Sequence, residues 1–325
     1  MSTIRVCDRK GIELLIINNI TKETTVDDIK QVFAQKYPKY YPDRQYYTIG
    51  LDSKSRVSLK ANDLLSAYNQ QLHDNQQIIY FKDLGAQISW KTVFHVEYFG
   101  PILIHTINYF LPSLFYSAST FHHTTTNPIW YQYHPIQTIM YLCIVLHFVK
   151  RELETHYVHR FSNSTMPLVN IFKNSIHYWL FSGLFISYYL YHPQYTPSTI
   201  IQTYLLDTQI FKPIILYSVI IGLYVTAESG NLACHIILRD LRPAGSTKRG
   251  IPHGNLFELC SCANYTWELL IWLIIAISIQ CVTGYIFLLI SFAQISQWAL
   301  KKHRAYIKEF GRENAKPYAL IPFVF

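Results

Sequence analysis

Charge is scarce in this chain. Asp, Glu, Lys and Arg make up 15% of its 325 residues, against about 25% in an ordinary soluble domain. Other signals are absent too. Residues 1–30 mix polar and charged side chains and show no cleavable signal peptide, so the first hydrophobic run is expected to act as the insertion signal. No GxGxxG follows a strand, so a Rossmann fold is not indicated. The six cysteines lack paired spacing. Cys260 and Cys262 form a CxC with no second pair to complete a zinc site, and they read as core residues. The 14 histidines lack the repeated HxxxH and HxxHH clusters of a membrane di-iron centre. His122-His123 and the pair His156/His159 are too few and are predicted on opposite sides of a membrane. No metal is predicted.

What is present is a division. Residues 1–91 hold 13 Lys/Arg and 10 Asp/Glu, an ordinary soluble density. Residues 4–7, a Lys10-Gly11 turn and 13–17 predict a β-hairpin. Thr25 precedes apolar Val26, Ile29, Val32 and Phe33 at helical spacing, and Asp28 completes an N-cap signature. Residues 47–51 and 77–81 read as further strands and 63–68 as a short late helix. This β-β-α-β-β order predicts an α+β ubiquitin-like roll without a catalytic constellation, an accessory or docking module.

Apolar runs follow at about 93–116, 136–149, 175–191, 210–229 and 256–300. The first four approach the roughly 20 residues that cross a ~30 Å hydrocarbon core, the second after extension at one end. Residues 117–135 contain no Lys, Arg, Asp or Glu, whereas 150–173, 239–249 and 301–308 are basic. The positive-inside rule places those three segments on the cytosolic side. Parity then asks the 256–300 run to cross twice, with its turn near 280–284. The prediction is an all-α multi-pass domain of six helices, seven being the alternative count, with both termini cytosolic. The net charge of +8 belongs to these flanks and not to a nucleic-acid surface.

The stretch 230–268 concentrates the candidate chemistry. Arg239, Arg242, Lys248 and Arg249 sit in a Gly/Pro-punctuated loop between apolar runs, able to meet phosphates with cationic forks. Glu97, Glu228 and Glu268 are acids in membrane segments and hence functional candidates. Tyr265, beside Glu268, is a potential proton donor and equally an interfacial belt residue.

These residues carry a resemblance. FKDLGAQISWKTVF (81–94), VHRFSNSTMPLVNIFKNSIHYW (158–179), GNLACHIILRDLRPAGSTKRGIP (230–252), NYTWE (264–268), KHRAYIKEF (302–310) and ALIPFVF (319–325) are similar to the very-long-chain trans-2-enoyl-CoA reductases, a branch of the steroid 5α-reductase family. The similarity covers nearly the whole chain. It implies a ubiquitin-like domain at 1–84 and a membrane reductase domain at 85–325. It also implies residence in the endoplasmic reticulum membrane, NADPH bound from the cytosolic side, and reduction of the 2,3-double bond of a very-long-chain enoyl-CoA. That is the last step of fatty-acid elongation, with elongase proteins as partners.

By family position Tyr265 is the proton donor, Glu268 lies in the nucleotide-proximal pocket, and Glu97 and Tyr157 match a substrate-facing pair. Cofactor contacts implied are Asn231, His235, Arg239, Arg242, Arg249, Asn264 and Tyr306, with Arg160 as a further one. His235 stands where the steroid branch has an acid. Near the C-terminus an arginine of the relatives is missing, with Glu313-Asn314, Lys316 and Pro317 in that region. The alternatives are a sterol or polyprenol reductase of the same superfamily, or a non-catalytic membrane scaffold.

Overall fold

The computed structural model describes residues 3–52, 56–74, 76–117, 133–161, 164–195, 213–241 and 250–325. It divides into two units, Met1–Trp90 with Asn163–Asn170, and Lys91–Ser162 with Ile171–Phe325. In the first, β1 (Thr3–Cys7) and β2 (Glu13–Asn18) pair antiparallel through a turn where Gly11 adopts φ +85°. Helix α1 (Val26–Lys36) begins with a reciprocal capping box. The Thr25 hydroxyl accepts from the Asp28 N–H at 3.1 Å, and the Asp28 carboxylate accepts from the Thr25 N–H at 2.7 Å. β3 (Gln45–Ile49), the two-residue β4 (Val57–Ser58) and β5 (Ile78–Asp83) complete a sheet ordered β2-β1-β5-β3-β4, with β1 parallel to β5. Ile4, Val6, Ile29, Phe33, Tyr47 and Ile79 fill the space under α1.

Two details differ from expectation. The late helix is a 3-10 turn (Leu65–Tyr68) that continues as α2 (Asn69–Asp74), because Leu65 and Leu72, two turns apart, are both buried. A second small ladder joins β6 (Gln87–Ser89) to β7 (Thr165–Pro167). The strands lie far apart in sequence, so no local pattern announces them.

The second unit is helical. Helix α3 is Trp90–Phe110 and α4 is Pro135–Tyr157. Helix α5 (Val169–Ser175) runs into a π-helix (Ile176–Phe185) and then α6 (Ile186–Leu190). Helices α7 (Pro213–Asp240), α8 (Ala263–Ile279) and α9 (Val282–Phe310) follow. Helices α7 and α9 are long and apolar enough to cross a membrane, and α8 is a shorter apolar helix of 17 residues. The 256–300 run breaks between α8 and α9, where Gln280 takes a left-handed φ of +51°. Met140, Ile144, Phe148, Ile271, Trp272 and Phe287 form the bundle core, while many large apolar side chains, such as Leu146, Leu223 and Leu289, face outward. Gly230 lets α7 approach α8, since a Cβ there would lie 2.5 Å from the Trp267 ring. Residues 117–135 and 192–212, the expected far-side loops, fall largely outside the described residues.

Candidate active site

A helix brings positions i, i+3, i+4 and i+7 onto one face. On α4 those positions are His147, Lys150, Arg151 and Glu154, all pointing into the bundle. Helix α7 answers with Glu228, Asn231 and His235, and α8 with Asn264 and Glu268. His147 is 1% exposed and lies between two carboxylates: Nδ1 is 2.7 Å from Glu228 Oε1 and Nε2 is 3.2 Å from Glu268 Oε1. Both contacts are satisfied when the ring is an imidazolium donating from both nitrogens. Lys150 Nζ donates to Glu228 Oε2 at 2.6 Å and to Asn231 Oδ1 at 2.7 Å. The Arg151 guanidinium donates to Glu154, to the Tyr98 hydroxyl at 3.0 Å and to His235 Nδ1 at 3.2 Å. Asn231 Nδ2 donates to the Asn264 carbonyl at 3.0 Å and to Glu268 Oε2 at 3.3 Å. Three carboxylates therefore face Lys150, Arg151 and His147, and with His147 charged the sum is zero. Charges buried in an apolar bundle persist only when paired in this way.

Two acceptors in this cluster lack an aligned donor. Asn264 Oδ1 is buried and unpartnered. Glu154 Oε1 has His235 Nδ1 at 3.0 Å, yet off the line of a hydrogen bond, because that nitrogen already accepts from Arg151. The cluster also brings one ligand atom each of Glu154, His159 and His235 within 4.8 Å of one another. A dication there would have to displace Arg151. His159, in the loop after α4, stays neutral: burial first, then the Arg151 charge, push its pKa down to about 3.

The structure thus brings together Asn231, His235, Asn264 and Glu268 from the expected set. Glu97 is close by on α3. It is 1% exposed, and Tyr98 beside it touches Arg151. Tyr157 does not pair with Glu97. It ends α4, 72% exposed, with its ring on His156, since the chain leaves the bundle there. Tyr265 sits one position along α8 from Asn264, about 100° around the helix, and so faces α9. It packs with Leu269, Ile295 and Leu320, and the Lys302 ammonium lies 5.2 Å from its ring centroid. Tyr306, further along α9, has its ring 6.1 Å from that of Phe310 and tilted to it. At the end of α7, Arg239 pairs with Asp240 at 2.7 Å, and the exposed Arg160 donates to the Arg239 carbonyl at 3.1 Å. Arg242, Lys248 and Arg249 lie outside the described residues. Lys316 joins Glu258 at 3.1 Å and so ties the tail to the loop before α8.

Sequence reasoning missed His147, Lys150, Arg151 and Glu154. Lys150 and Arg151 were counted as a basic cytosolic flank, but both are spent on ion pairs inside the bundle. The i, i+3, i+4, i+7 spacing of ionisable residues was the available signal.

The comparisons with known proteins fit this arrangement. Residues 164–325 match the family model for 3-oxo-5-alpha-steroid 4-dehydrogenase, and residues 2–83 match that for the ubiquitin-like domain of TECR. A very-long-chain enoyl-CoA reductase of Dictyostelium discoideum is 44% identical over 76% of this chain and 74% of its own length. A probable very-long-chain enoyl-CoA reductase of Caenorhabditis elegans is 36% identical over 99% of this chain and 98% of its own. The chain belongs to the very-long-chain enoyl-CoA reductase family. A putative enoyl reductase of Schizosaccharomyces pombe, 42% identical over 75% of each chain, falls in the same group. Among enoyl-CoA reductases the buried cluster of α4, α7 and α8 is the natural candidate for the reaction site, and the donor set fits a nicotinamide dinucleotide. Asn264 Oδ1 is a buried acceptor without a donor, of the kind a carboxamide N–H or a ribose hydroxyl would fill. Arg160 and Arg239 offer cations for phosphates.

Proposed function

We propose that this chain is an NADPH-dependent reductase of the 2,3-double bond of very-long-chain trans-2-enoyl-CoA, acting in the endoplasmic reticulum membrane at the last step of fatty-acid elongation. The observation that carries the reading is the charge-balanced cluster of His147, Lys150, Arg151, Glu154, Glu228 and Glu268 inside an apolar bundle, in a chain whose relatives are named enoyl-CoA reductases. A six-crossing bundle with a cytosolic site gives a soluble dinucleotide and a membrane-dissolved acyl chain access to one place.

When bound, the cofactor supplies a hydride for the β-carbon. The chain's own residues do the rest. Arg160 and Arg239, with Arg242 and Arg249, hold phosphate oxygens. Asn264 accepts from the carboxamide or the ribose. The buried cations face the charge that develops on the thioester oxygen, where a water-poor site strengthens every such contact. Glu97 donates to that oxygen in its acid form. Tyr265 protonates the α-carbon, which requires the acyl group to extend from the buried cluster to the α9-facing side of α8, where Lys302 lies beside the tyrosine ring. Elongase proteins are the natural partners, since they make this substrate.

The test is direct. Membranes containing the chain, given NADPH and a trans-2-enoyl-CoA, are expected to consume both in equal amounts. Oxidation of NADPH with a steroid enone and none with the enoyl-CoA would transfer the assignment to the steroid branch.

A further inference from the structure

Helix α8 starts at Cys262 without a side-chain cap. A first turn of that kind keeps free backbone donors and frays unless something else holds it. Here the segment 316–321 does so, through alternate residues. Lys316 Nζ donates to Glu258 Oε2 at 3.1 Å. The Tyr318 carbonyl accepts from the Ser261 N–H at 2.9 Å, and Cys260 and Tyr318 form an isolated parallel β-bridge. The Leu320 carbonyl accepts from the Thr266 hydroxyl at 2.6 Å. Beyond Leu320 the chain turns back on itself. The Phe325 carbonyl accepts from the Leu320 and Ile321 N–H groups at 2.9 and 3.0 Å. The Ile321 N–H shares a peptide plane with the Leu320 carbonyl, so this turn fixes the direction in which that carbonyl points.

Tyr265 lies inside this brace, between Ser261 and Thr266, the two positions at the start of α8 that the segment grips. Its ring packs on the cluster of Cys262, Leu269, Ile295, Ala299 and Leu320, to which the segment supplies the fully buried Leu320 and the half-buried Ile321. Helix α9 closes the frame. Ser261 Oγ and His303 Nδ1 are 2.8 Å apart, and Lys302, the residue before His303, holds its ammonium 5.2 Å from the Tyr265 ring centroid. Thr266 follows Tyr265 directly, so any shift of the turn that the Thr266 hydroxyl anchors carries the tyrosine ring with it. None of the reductase roles above uses Thr266 or the segment 316–321.

We infer that the segment 316–321 is a brace that sets where Tyr265 stands, and that Thr266 is the positioning residue through which it acts. The inference rests on the reductase reading, since placing Tyr265 matters only when it delivers the proton to the α-carbon. Thr266 acts through its neighbour: its bond to the Leu320 carbonyl holds the first turn of α8, and that turn holds the Tyr265 hydroxyl against α9. Proton delivery is steep in geometry, and a misplacement of about 1 Å costs roughly 10²-fold in rate. In the reductase reading substrate and dinucleotide are gripped elsewhere, by the cluster of α4, α7 and α8 and by the arginines. Loosening the brace therefore lowers kcat and leaves KM in place.

The experiment uses the full chain in lipid nanodiscs with NADPH and a trans-2-enoyl-CoA, and counts turnover per NADPH-binding site so that unfolded protein does not enter. Thr266→Val keeps the side-chain shape and removes the hydroxyl. It is expected to lower kcat roughly tenfold or more with both KM values within about twofold of the wild type. Thr266→Ser restores the donor and is expected to bring kcat back to within about threefold. Beside Tyr265→Phe, Thr266→Val is expected to change kcat by less than about twofold, because nothing is left to position. A wild-type kcat in Thr266→Val overturns the brace. A loss that Thr266→Ser does not recover overturns it too, as does a loss of equal size beside Tyr265→Phe, which marks a merely structural role. If Thr266→Val does not fold, Lys316→Met, which releases the outer end of the segment, carries the test. Its kcat is expected to fall about threefold or more at unchanged KM, and not beside Tyr265→Phe; an unchanged kcat overturns the brace. Full turnover in Tyr265→Phe removes the donor and the brace together. Absence of enoyl-CoA turnover in the wild type overturns the reductase reading as well, whereas a failed brace alone leaves that reading standing.

Discussion

The two units of this chain are built inside out with respect to each other. In the ubiquitin-like unit the core is apolar and charge stays at the surface, as in the Arg44–Asp83 pair at 2.5 Å and the capping Asp28. In the helical unit large apolar residues such as Leu146 and Leu289 face outward, and the inside holds Glu154, Glu228, Glu268, Lys150, Arg151 and His147. The first arrangement is the one water selects. The second makes sense where the surroundings are hydrocarbon and the interior must carry out charge-separating chemistry. The same ionisable side chain is therefore nearly neutral for stability in one unit and critical in the other.

The sharpest way to break this contrast is Glu228→Ala. It takes from Lys150 its closest carboxylate and from His147 one of its two, in a buried place, and a loss of about 3–5 kcal/mol is expected, read as thermal unfolding of the helical unit in detergent. Charge reduction on the surface, as in Asp83→Asn, should cost about 1 kcal/mol or less. Equal effects of the two would remove the contrast. Next is Tyr265→Phe, expected to lower turnover by roughly 10²-fold or more while unfolding and NADPH binding stay as in the wild type. Unchanged turnover removes Tyr265 from the mechanism. Gly230→Ala, which forces a Cβ to 2.5 Å from Trp267, is expected to cost about 1–3 kcal/mol through overpacking.

The smallest effects belong to the first unit. Thr25→Ala removes the cap of α1 and should cost about 1 kcal/mol, measured by denaturant unfolding of residues 1–90 in the full chain. Acid acts there with a definite sign. The Thr25 amide and hydroxyl hold the Asp28 carboxyl below its usual range, and Arg44 does the same for Asp83. Each depressed carboxyl adds stability that is complete above the unfolded value of about 4 and is lost as pH falls through the lower folded value. The acid limb of unfolding should therefore flatten in Thr25→Ala.

The difference between the units also explains what could be read in advance. Local rules act on neighbours in sequence, and the first unit is full of them: the Lys10-Gly11 turn, the Thr25/Asp28 box and the Val26–Phe33 spacing all lie where expected. The break at Gln280 is of the same kind. Composition is silent where partners are remote. Lys150 and Arg151 look like a cytosolic flank until Glu228 and Glu154 are known to face them. Tyr157, placed by family position, lies exposed because α4 ends under it. Tyr265 and Glu268 are three residues apart, yet a single helix sends one toward Lys302 and the other toward His147.

The central claim is that the chain brings a reduced nicotinamide and an enoyl thioester together. Labelled transfer tests it most directly. The full chain in nanodiscs is given trans-2-enoyl-CoA and NADPH deuterated on the transferring face at C4, and the acyl product is analysed by mass spectrometry. The account predicts saturated acyl-CoA with one deuterium at C3 and none at C2. Saturated product with the label at C2, or no saturated product while NADPH binds, would contradict it.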